Sequence, residues 1–206
     1  MNERPIDIYA LRILLALALA GLGIVGIAMA RTDALPKPYR IPPPPQFELS
    51  ISADGRSFEF SGMVDFGLTA ALRALVAAHP QIKRMELDSG GGYIAEARGV
   101  VTVLRAHGIA THVEGNCASA CALMFAGGAT RTLSPQGQIG LHGYALRREH
   151  HFGMIDPEVE MQRDLAIYRA QSVDEQFVLR LATLPQMPMW YPDHTELRAA
   201  GLVTKP

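Results

Sequence analysis

The chain has 206 residues, of which 49% are hydrophobic and 19% are charged, a composition typical of a packed globular protein rather than a disordered one. This length fits one domain with an extension, not two full domains. The formal net charge of −1 does not indicate a nucleic-acid partner. The sequence has no P-loop, no dinucleotide-binding fingerprint and no zinc-type spacing of Cys and His, so we expect neither a metal nor a cofactor.

The N-terminal part of the chain predicts a membrane-targeting segment. Residues 13–30 carry no charge, and a helix of that length spans about 27 Å, marginally enough for the hydrocarbon core of a bilayer. We expect residues 1–12 to flank a single-pass transmembrane helix of the inner membrane, with the folded domain in the periplasm. The alternative is a signal peptide that is cleaved after Ala28-Met29-Ala30, which would leave a secreted or periplasmic protein.

A proline-rich linker follows the apolar segment. Six prolines occur between residues 34 and 45, so we expect residues 31–45 to form a semi-rigid spacer of polyproline character. Such a spacer would hold the domain away from the membrane surface. The globular domain is expected to cover residues 46–206.

Predicted strands and helices alternate along this domain. Two segments with period-two alternation flank Asp54-Gly55, which predicts a β-hairpin. Apolar periodicity predicts helices at 67–78, at 94–107, after Ser119 and, as one long helix, from 156 to about 184. A last helix is expected from 194 to 201, and short strands are expected at 82–87, 109–113, 130–133 and 138–141. This order predicts an α/β fold with a mostly parallel sheet.

Three segments carry residues with the chemistry of a catalytic site. Ser119 lies in the small-residue run 115–122, where few side chains would block a substrate. The glycines of segment 88–92 let the backbone approach a ligand and offer it N–H groups. His142 ends a short apolar stretch. A nucleophile, a source of oxyanion donors and a base in one half of the chain predict acyl transfer by an activated serine.

These motifs resemble those of the ClpP/crotonase superfamily, specifically its Clp-protease-like serine peptidase branch, over roughly residues 47–203. The turn Asp88-Ser89-Gly90-Gly91-Gly92 is similar to the family's Asn-Ser-Pro-Gly-Gly, and Cys117-Ala118-Ser119-Ala120-Cys121-Ala122 to its Ala-Ala-Ser-Met-Gly-Ala. Leu141-His142-Gly143 resembles its Ile-His-Gln, and segment 196–203 its closing Glu-Ala-x-x-x-Gly-Leu-Val helix. The resemblance implies repeated ββα units with a mostly parallel sheet, here preceded by a transmembrane helix in an exported, membrane-associated member.

The resemblance also implies roles for single residues. Ser119 would be the nucleophile and His142 its general base, with the backbone N–H groups of Gly91 and Ala120 forming the oxyanion hole. It implies hydrolysis of a peptide or protein substrate without a cofactor. An exported domain would lack ATP, so we expect an ATP-independent serine endopeptidase.

The acid of a serine-protease triad is missing from its expected place. The family's aspartate position falls at Met189, whose thioether cannot orient an imidazole. Asp193 or Asp156 could substitute, or a Ser-His dyad could operate alone. The alternative to a peptidase is a catalytically inactive ClpP-fold binding or assembly module. An acyl-thioester enzyme of the crotonase type is a third alternative.

Cys117 and Cys121 are the only two cysteines of the chain, and they flank Ser119. In an oxidising compartment, and with Cα atoms about 6 Å apart if the segment is helical, they predict a disulfide that fixes the serine turn. One alternative is a pair of buried thiols that pack as small apolar side chains. The other is a copper or redox role for the C-x₃-C spacing.

The predicted helix from 156 to about 184 bears on assembly. Related proteins use this region for assembly, which implies a homo-oligomer. Packing within one chain explains the same apolar side chains equally well, and these are Leu165, Tyr168, Phe177 and Leu181.

Overall fold

The computed structural model describes residues 12, 15–17, 19, 44, 46–143 and 156–204. The chain divides into a unit Met1–Pro43 and a unit Pro44–Pro206. In the first unit the described residues are helical, and the predicted transmembrane segment and linker lie mostly outside the described part. Within that part, no helix combines the length and the apolar character that a membrane crossing requires.

An antiparallel hairpin opens the second unit. β1 (Phe47–Ile51) pairs with β2 (Phe58–Val64), and the turn between them contains Gly55 at φ 70°. The hairpin predicted from the sequence is therefore confirmed. Along β2, Phe58 and Phe60 are buried and the residue between them is exposed, because successive residues of a strand face opposite sides.

The other strands extend the hairpin into a mostly parallel sheet. β3 (Arg84–Gly92) lies beside β2, followed by β4 (Ala110–Val113) and β6 (Arg131–Leu133). β5 (Asn116–Ala118) pairs with β3 and with β7 (Gln138–Gly140). All of these pairs are parallel. The α/β fold with a mostly parallel sheet, predicted from the sequence, is confirmed.

The described part of the second unit contains six helices: α1 (Leu68–Ala78), α2 (Ile94–His107), α3 (Ala120–Ala126), α4 (Pro157–Ala170), α5 (Glu175–Thr183) and α6 (His194–Ala199). α2 has the predicted bounds. It ends at Gly108, which adopts the left-handed conformation at φ 61° that commonly terminates a helix.

The single long helix predicted from 156 to about 184 is wrong, because the chain forms α4 and α5 there. Between them, Ser172 adopts a left-handed conformation with φ 58°, which a continuing helix does not allow. Asp174 then caps α5 by accepting hydrogen bonds from the N–H groups of Gln176 and Phe177. The apolar periodicity continues across this break, so periodicity alone did not reveal it.

α3 lies at the centre of the core, with every residue buried. α2 and α4 pack against it, and α5 packs against α4. The four apolar side chains that we considered for assembly are buried within the single chain: Leu165, Tyr168, Phe177 and Leu181. Packing within one chain therefore accounts for these four side chains.

Candidate active site

Three strands end side by side at one edge of the sheet. The first half of β3 pairs with β4 and its second half pairs with β5. β5 in turn pairs with β7, so that Ala118 lies beside Gly140. Because these strands are parallel, the residues that follow them, Ser119 after β5 and His142 after β7, meet at the carboxyl edge of the sheet.

Ser119 has a strained backbone conformation. Its φ of 56° and ψ of −123° are rare for a residue with a side chain, and such a conformation costs on the order of 1–3 kcal/mol. The Ser119 N–H donates to the carbonyl of Gly140 (2.8 Å), and the Ser119 carbonyl accepts from the N–H of Ala122 (2.9 Å), which holds the turn in place. Strain of this kind clusters at functional sites, which singles out Ser119.

The imidazole of His142 contacts the Ser119 hydroxyl. Nε2 of His142 lies 2.7 Å from Oγ of Ser119, and Nδ1 lies 2.8 Å from the carbonyl oxygen of Gly143. A carbonyl oxygen only accepts hydrogen bonds, so Nδ1 of the neutral ring carries the proton and Nε2 accepts from the serine. The Gly143 carbonyl thereby selects the tautomer that a general base requires.

Gly91 packs against the serine turn from the end of β3. A Cβ atom at Gly91 would lie 2.7 Å from the Cβ of Ser119 and 3.1 Å from the nitrogen of Ala120, and its φ of 106° also favours glycine. Ala120 is the first residue of α3, so its N–H has no carbonyl partner within the helix. The structure thus brings Gly91 and the Ala120 N–H together beside Ser119.

The N–H of Gly91 is engaged by a neighbouring side chain. It donates to Oγ of Ser89, which is buried, over 3.0 Å. An oxyanion formed at Ser119 would therefore compete with Ser89 for this N–H. No role was predicted for Ser89 from the sequence, although a hydroxyl two residues before a turn glycine is a known partner for its N–H.

Comparison with known proteins identifies the fold. No family model matches the chain, and no curated protein matches it. Among solved structures, a mutant of ClpP1 from Listeria monocytogenes matches with a TM-score of 0.59 and 14% identity, over 73% of this chain and 90% of that one. The chain has a ClpP-like fold. At this identity the likeness shows the fold alone, so function has to be inferred from the residues of the site.

Asp193 and Asp156 were considered as the acid that orients His142, but both carboxylates cap helices instead. Asp193 caps α6 by accepting from the N–H of Glu196 over 2.8 Å, and Asp156 caps α4 by accepting from the N–H of Glu158 over 2.9 Å. In the part of the chain that the structure describes, neither is hydrogen-bonded to His142, whose ring nitrogens contact Ser119 and Gly143 instead.

Met189 lies next to the histidine. Leu141 and Trp190 form an antiparallel bridge with two backbone hydrogen bonds, of 2.8 Å and 2.7 Å. In an antiparallel pair, this register places residue 189 opposite residue 142. The sulfur of Met189 lies 2.6 Å from the position that a Cβ on Gly140 would take, so the thioether fills the space beside the end of β7.

A stacked arrangement holds the segment that carries Met189. The ring of Trp190 packs on Phe177, with 5.3 Å between ring centroids, and the guanidinium of Arg180 lies 3.8 Å above the Trp190 ring. Arg180 also forms an ion pair with Glu196 over 2.6 Å. Helices α5 and α6 thus fix the segment that faces His142.

Cys117 and Cys121 form a disulfide across the serine turn. Cys117 belongs to β5 and Cys121 to α3, with 5.2 Å between their Cα atoms, and Ser119 is the middle residue of the closed loop. Both cysteines are completely buried. The bond therefore ties the strand before the nucleophile candidate to the helix after it.

Proposed function

We propose that this protein is a membrane-associated periplasmic serine peptidase that hydrolyses peptide bonds without ATP. The observation that carries the proposal is the 2.7 Å contact between Nε2 of His142 and Oγ of Ser119. A serine hydroxyl is a weak nucleophile unless a base accepts its proton, and this contact supplies that base in the required tautomer. The ClpP-like fold supports a peptidase but does not by itself establish one.

The proposed reaction has two stages. Oγ of Ser119 attacks the carbonyl carbon of the peptide while Nε2 of His142 takes the hydroxyl proton, and the N–H groups of Ala120 and Gly91 stabilise the oxyanion. His142 then donates that proton to the departing amine, which leaves an acyl group on Ser119. A water molecule, deprotonated by His142, hydrolyses this ester and restores the serine.

Among the described residues, the ring nitrogens of His142 bond to Ser119 and Gly143 and to no carboxylate, and this sets the expected rate. A carbonyl oxygen, such as that of Gly143, orients the imidazole but stabilises the imidazolium less than a carboxylate does. Loss of the orienting acid in a serine protease lowers kcat by roughly 10⁴. We therefore expect slow turnover, and a reagent that reports acylation of the serine is a better test than a peptide-cleavage assay.

Labelling with a fluorophosphonate tests the proposal. The folded full-length chain should react, and the Ser119→Ala variant should lose the signal completely. Ser50→Ala, at an exposed position on β1, is the matched control and should label like the parent chain. Persistent labelling of the Ser119→Ala variant, or no labelling of the folded parent chain, would contradict the proposal.

The second candidate function is a catalytically inactive binding or assembly module. Two observations favour it: Met189 lies opposite His142, and the Gly91 N–H is engaged by Ser89. The same labelling experiment separates the two functions, because an inactive module would remain unlabelled while its circular dichroism showed a folded domain.

The proposed location rests on the N-terminal segment and on the disulfide. Residues 13–30 are uncharged, and disulfides persist in oxidising compartments such as the periplasm. Sequencing the mature N-terminus tests the retained anchor. A chain that begins at Arg31 would instead show cleavage of a signal peptide and release of the domain.

Self-association is also part of the proposal. The four apolar side chains considered for assembly, Leu165, Tyr168, Phe177 and Leu181, are buried in their own chain, so a homo-oligomer would form through other side chains. Light scattering of the full-length chain in detergent measures the assembly directly, and a monomer at all concentrations would contradict it.

A further inference from the structure

The segment that follows α5 bonds to the backbone on both sides of His142. After His142, the N–H of Gly143 donates to the carbonyl of Pro185 over 2.8 Å. Before His142, the N–H of Leu141 donates to the carbonyl of Trp190 over 2.8 Å, and the N–H of Trp190 donates back over 2.7 Å. The backbone is therefore held both before and after the residue whose side chain is the candidate base.

We refer to residues 184–190 as the clamp segment. The ring of Trp190 packs on Phe177 of α5, and the guanidinium of Arg180 lies 3.8 Å from the Trp190 ring, so the clamp segment is itself anchored to a helix. Backbone atoms make all three of the hydrogen bonds that surround the histidine. The clamp therefore does not depend on the side chain at position 189, where a methionine is found.

Gly143 packs so closely on the clamp segment that a side chain does not fit. It is buried, and a Cβ at this position would collide with the carbonyl oxygen of Leu184. It would also lie 2.9 Å from the carbonyl carbon of Leu184 and 3.2 Å from that of Pro185. These are backbone atoms, which cannot rotate away as the end of a side chain can. A larger residue would therefore displace either position 143 or the clamp segment.

We propose that Gly143 is a positioning residue of the proposed reaction, and that Gly143 and the clamp segment together replace the acid of a serine-protease triad. This rests on the proposed function. In a triad the acid holds the imidazole in the tautomer whose Nε2 accepts the serine proton. Here Nδ1 of His142 donates to the Gly143 carbonyl over 2.8 Å, and the bond from the Gly143 N–H to Pro185 fixes that residue in place.

A triad acid contributes both orientation and negative charge, and the clamp supplies only the first. The carbonyl of Gly143 is neutral, so it orients the ring without the full stabilisation that a carboxylate gives to an imidazolium. Orientation alone has a large effect on rate, because a misplacement of about 1 Å can cost about 10²-fold. Loss of the clamp should therefore be measurable even in a slow enzyme.

Nitrogen-15 NMR of the His142 ring tests the positioning without requiring turnover. The full-length chain is labelled with ¹⁵N-histidine, and the resonances of His142 are assigned by their loss in His142→Gln. At a pH where the ring is neutral, the chemical shifts of the two ring nitrogens show which one carries the proton. We expect the proton on Nδ1 in the parent chain, because Nδ1 faces a carbonyl oxygen.

Gly143→Ala should disturb this arrangement. We expect the tautomer protonated on Nδ1 to lose its dominance, and the rate of fluorophosphonate labelling of Ser119 to fall by about 10²-fold. Thr183→Ala, at an exposed position just before the clamp segment, is the control. It removes a hydroxyl that bonds to the Arg180 carbonyl and should preserve both the tautomer and the rate. Circular dichroism shows whether each variant is folded.

A second variant loosens the clamp segment without changing Gly143. Trp190→Ala removes the ring that packs on Phe177, whereas Trp190→Phe keeps an aromatic ring at this position. We expect Trp190→Ala to weaken the tautomer preference and to lower the labelling rate at least about tenfold, a fraction of the cost of full misplacement. Trp190→Phe should restore both.

A His142 ring that is protonated on Nε2 in the parent chain would overturn the proposal. An unchanged tautomer and labelling rate in folded Gly143→Ala would also overturn it, as would the same result in folded Trp190→Ala if Gly143→Ala does not fold. Failure of the proposed function is distinguishable: the parent chain would not react with a fluorophosphonate, while the tautomer and its loss in the variants would still be observed.

Discussion

Met189 lies opposite His142 across the antiparallel bridge of Leu141 and Trp190, and its sulfur fills the space beside Gly140. We predict that a carboxylate at position 189 interacts with the imidazole of His142. Among the described residues, the partner of Nδ1 in His142 is the Gly143 carbonyl, at 2.8 Å. A negative charge at position 189 would therefore stabilise the imidazolium that forms during attack.

Met189→Asp is therefore expected to raise the rate of fluorophosphonate labelling by at least about tenfold, a fraction of the roughly 10⁴ that a triad acid contributes. The matched control is Met187→Asp, which introduces the same charge at a side chain that is 69% exposed. Equal rates for the two variants, both folded, would show that residue 189 does not act on His142.

Removal of the Ser89 hydroxyl should release the N–H of Gly91 for an oxyanion. One oxyanion donor is worth about 10²–10³ in rate, and Ser89 now competes for this donor over 3.0 Å. We expect Ser89→Ala to accelerate labelling of Ser119 by about tenfold. Ser134→Ala, which removes a hydroxyl bonded to the Glu114 carbonyl, should have no such effect. Slower labelling of Ser89→Ala would mean that Ser89 holds Gly91 in its working position.

The disulfide should hold the serine turn as well as stabilise the fold. It closes a loop with a sequence separation of 4, for which loop entropy predicts a stabilisation of about 2 kcal/mol. The double variant Cys117→Ala, Cys121→Ala should lose about that much free energy of unfolding in urea. Its labelling rate should fall below that of the parent chain at temperatures where both are fully folded.

Alkylation followed by intact-mass analysis tests whether the disulfide between Cys117 and Cys121 is present. Because both cysteines are completely buried, the native protein should take up no alkylating reagent, and two groups should add only after reduction in denaturant. Two labelled thiols in native protein isolated without reducing agent would contradict the disulfide.

The carboxylate of Glu96 holds the loop between β2 and α1, so the free energy of unfolding should depend on pH. Burial alone would raise the pKa of Glu96, but hydrogen bonds from the Thr69 hydroxyl and from the N–H groups of Thr69 and Gly67 outweigh it and lower the pKa below 4.5. The carboxylate of Glu96 therefore stabilises the folded state fully at pH values above the pKa that Glu96 has in the unfolded chain. This stabilisation is lost as the pH falls through the lower pKa that Glu96 has in the folded protein.

Glu96→Gln should accordingly lower the free energy of unfolding by about 1 kcal/mol at neutral pH, the usual contribution of a helix cap. The difference from the parent chain should shrink steadily in urea titrations as the pH falls below 4.5. Glu48→Gln, at an exposed position on β1, is the control. A difference of constant size from neutral to acidic pH would contradict the role of the carboxylate charge.

The sequence was sufficient to predict the hairpin, α2 with its terminal Gly108, and the parallel sheet, because turn glycines and apolar periodicity are local signals. The motifs around Ser119 and His142, and their resemblance to a known family, also allowed these two residues to be proposed as a nucleophile and its base. β5 was missed because its residues lie in the small-residue run 115–122, which was interpreted as a turn.

The remaining features depend on tertiary contacts. The partner of Nδ1 in His142 is a backbone carbonyl, which every residue possesses and no motif marks. The two aspartates considered for that place begin helices, where their carboxylates cap N–H groups. Phe66 and Tyr93 belong to different segments, so the contact between their rings appears only once β2 and β3 are paired.

The most direct measurement of the central claim is the second-order rate of fluorophosphonate labelling of Ser119 in the parent chain and in His142→Ala, with the adduct located by peptide mass spectrometry. The account predicts an adduct on Ser119 and a rate at least about 10²-fold lower without the imidazole, the usual contribution of a general base. An adduct on another residue, or equal rates in the two folded proteins, would show that the 2.7 Å contact between His142 and Ser119 does not activate the serine.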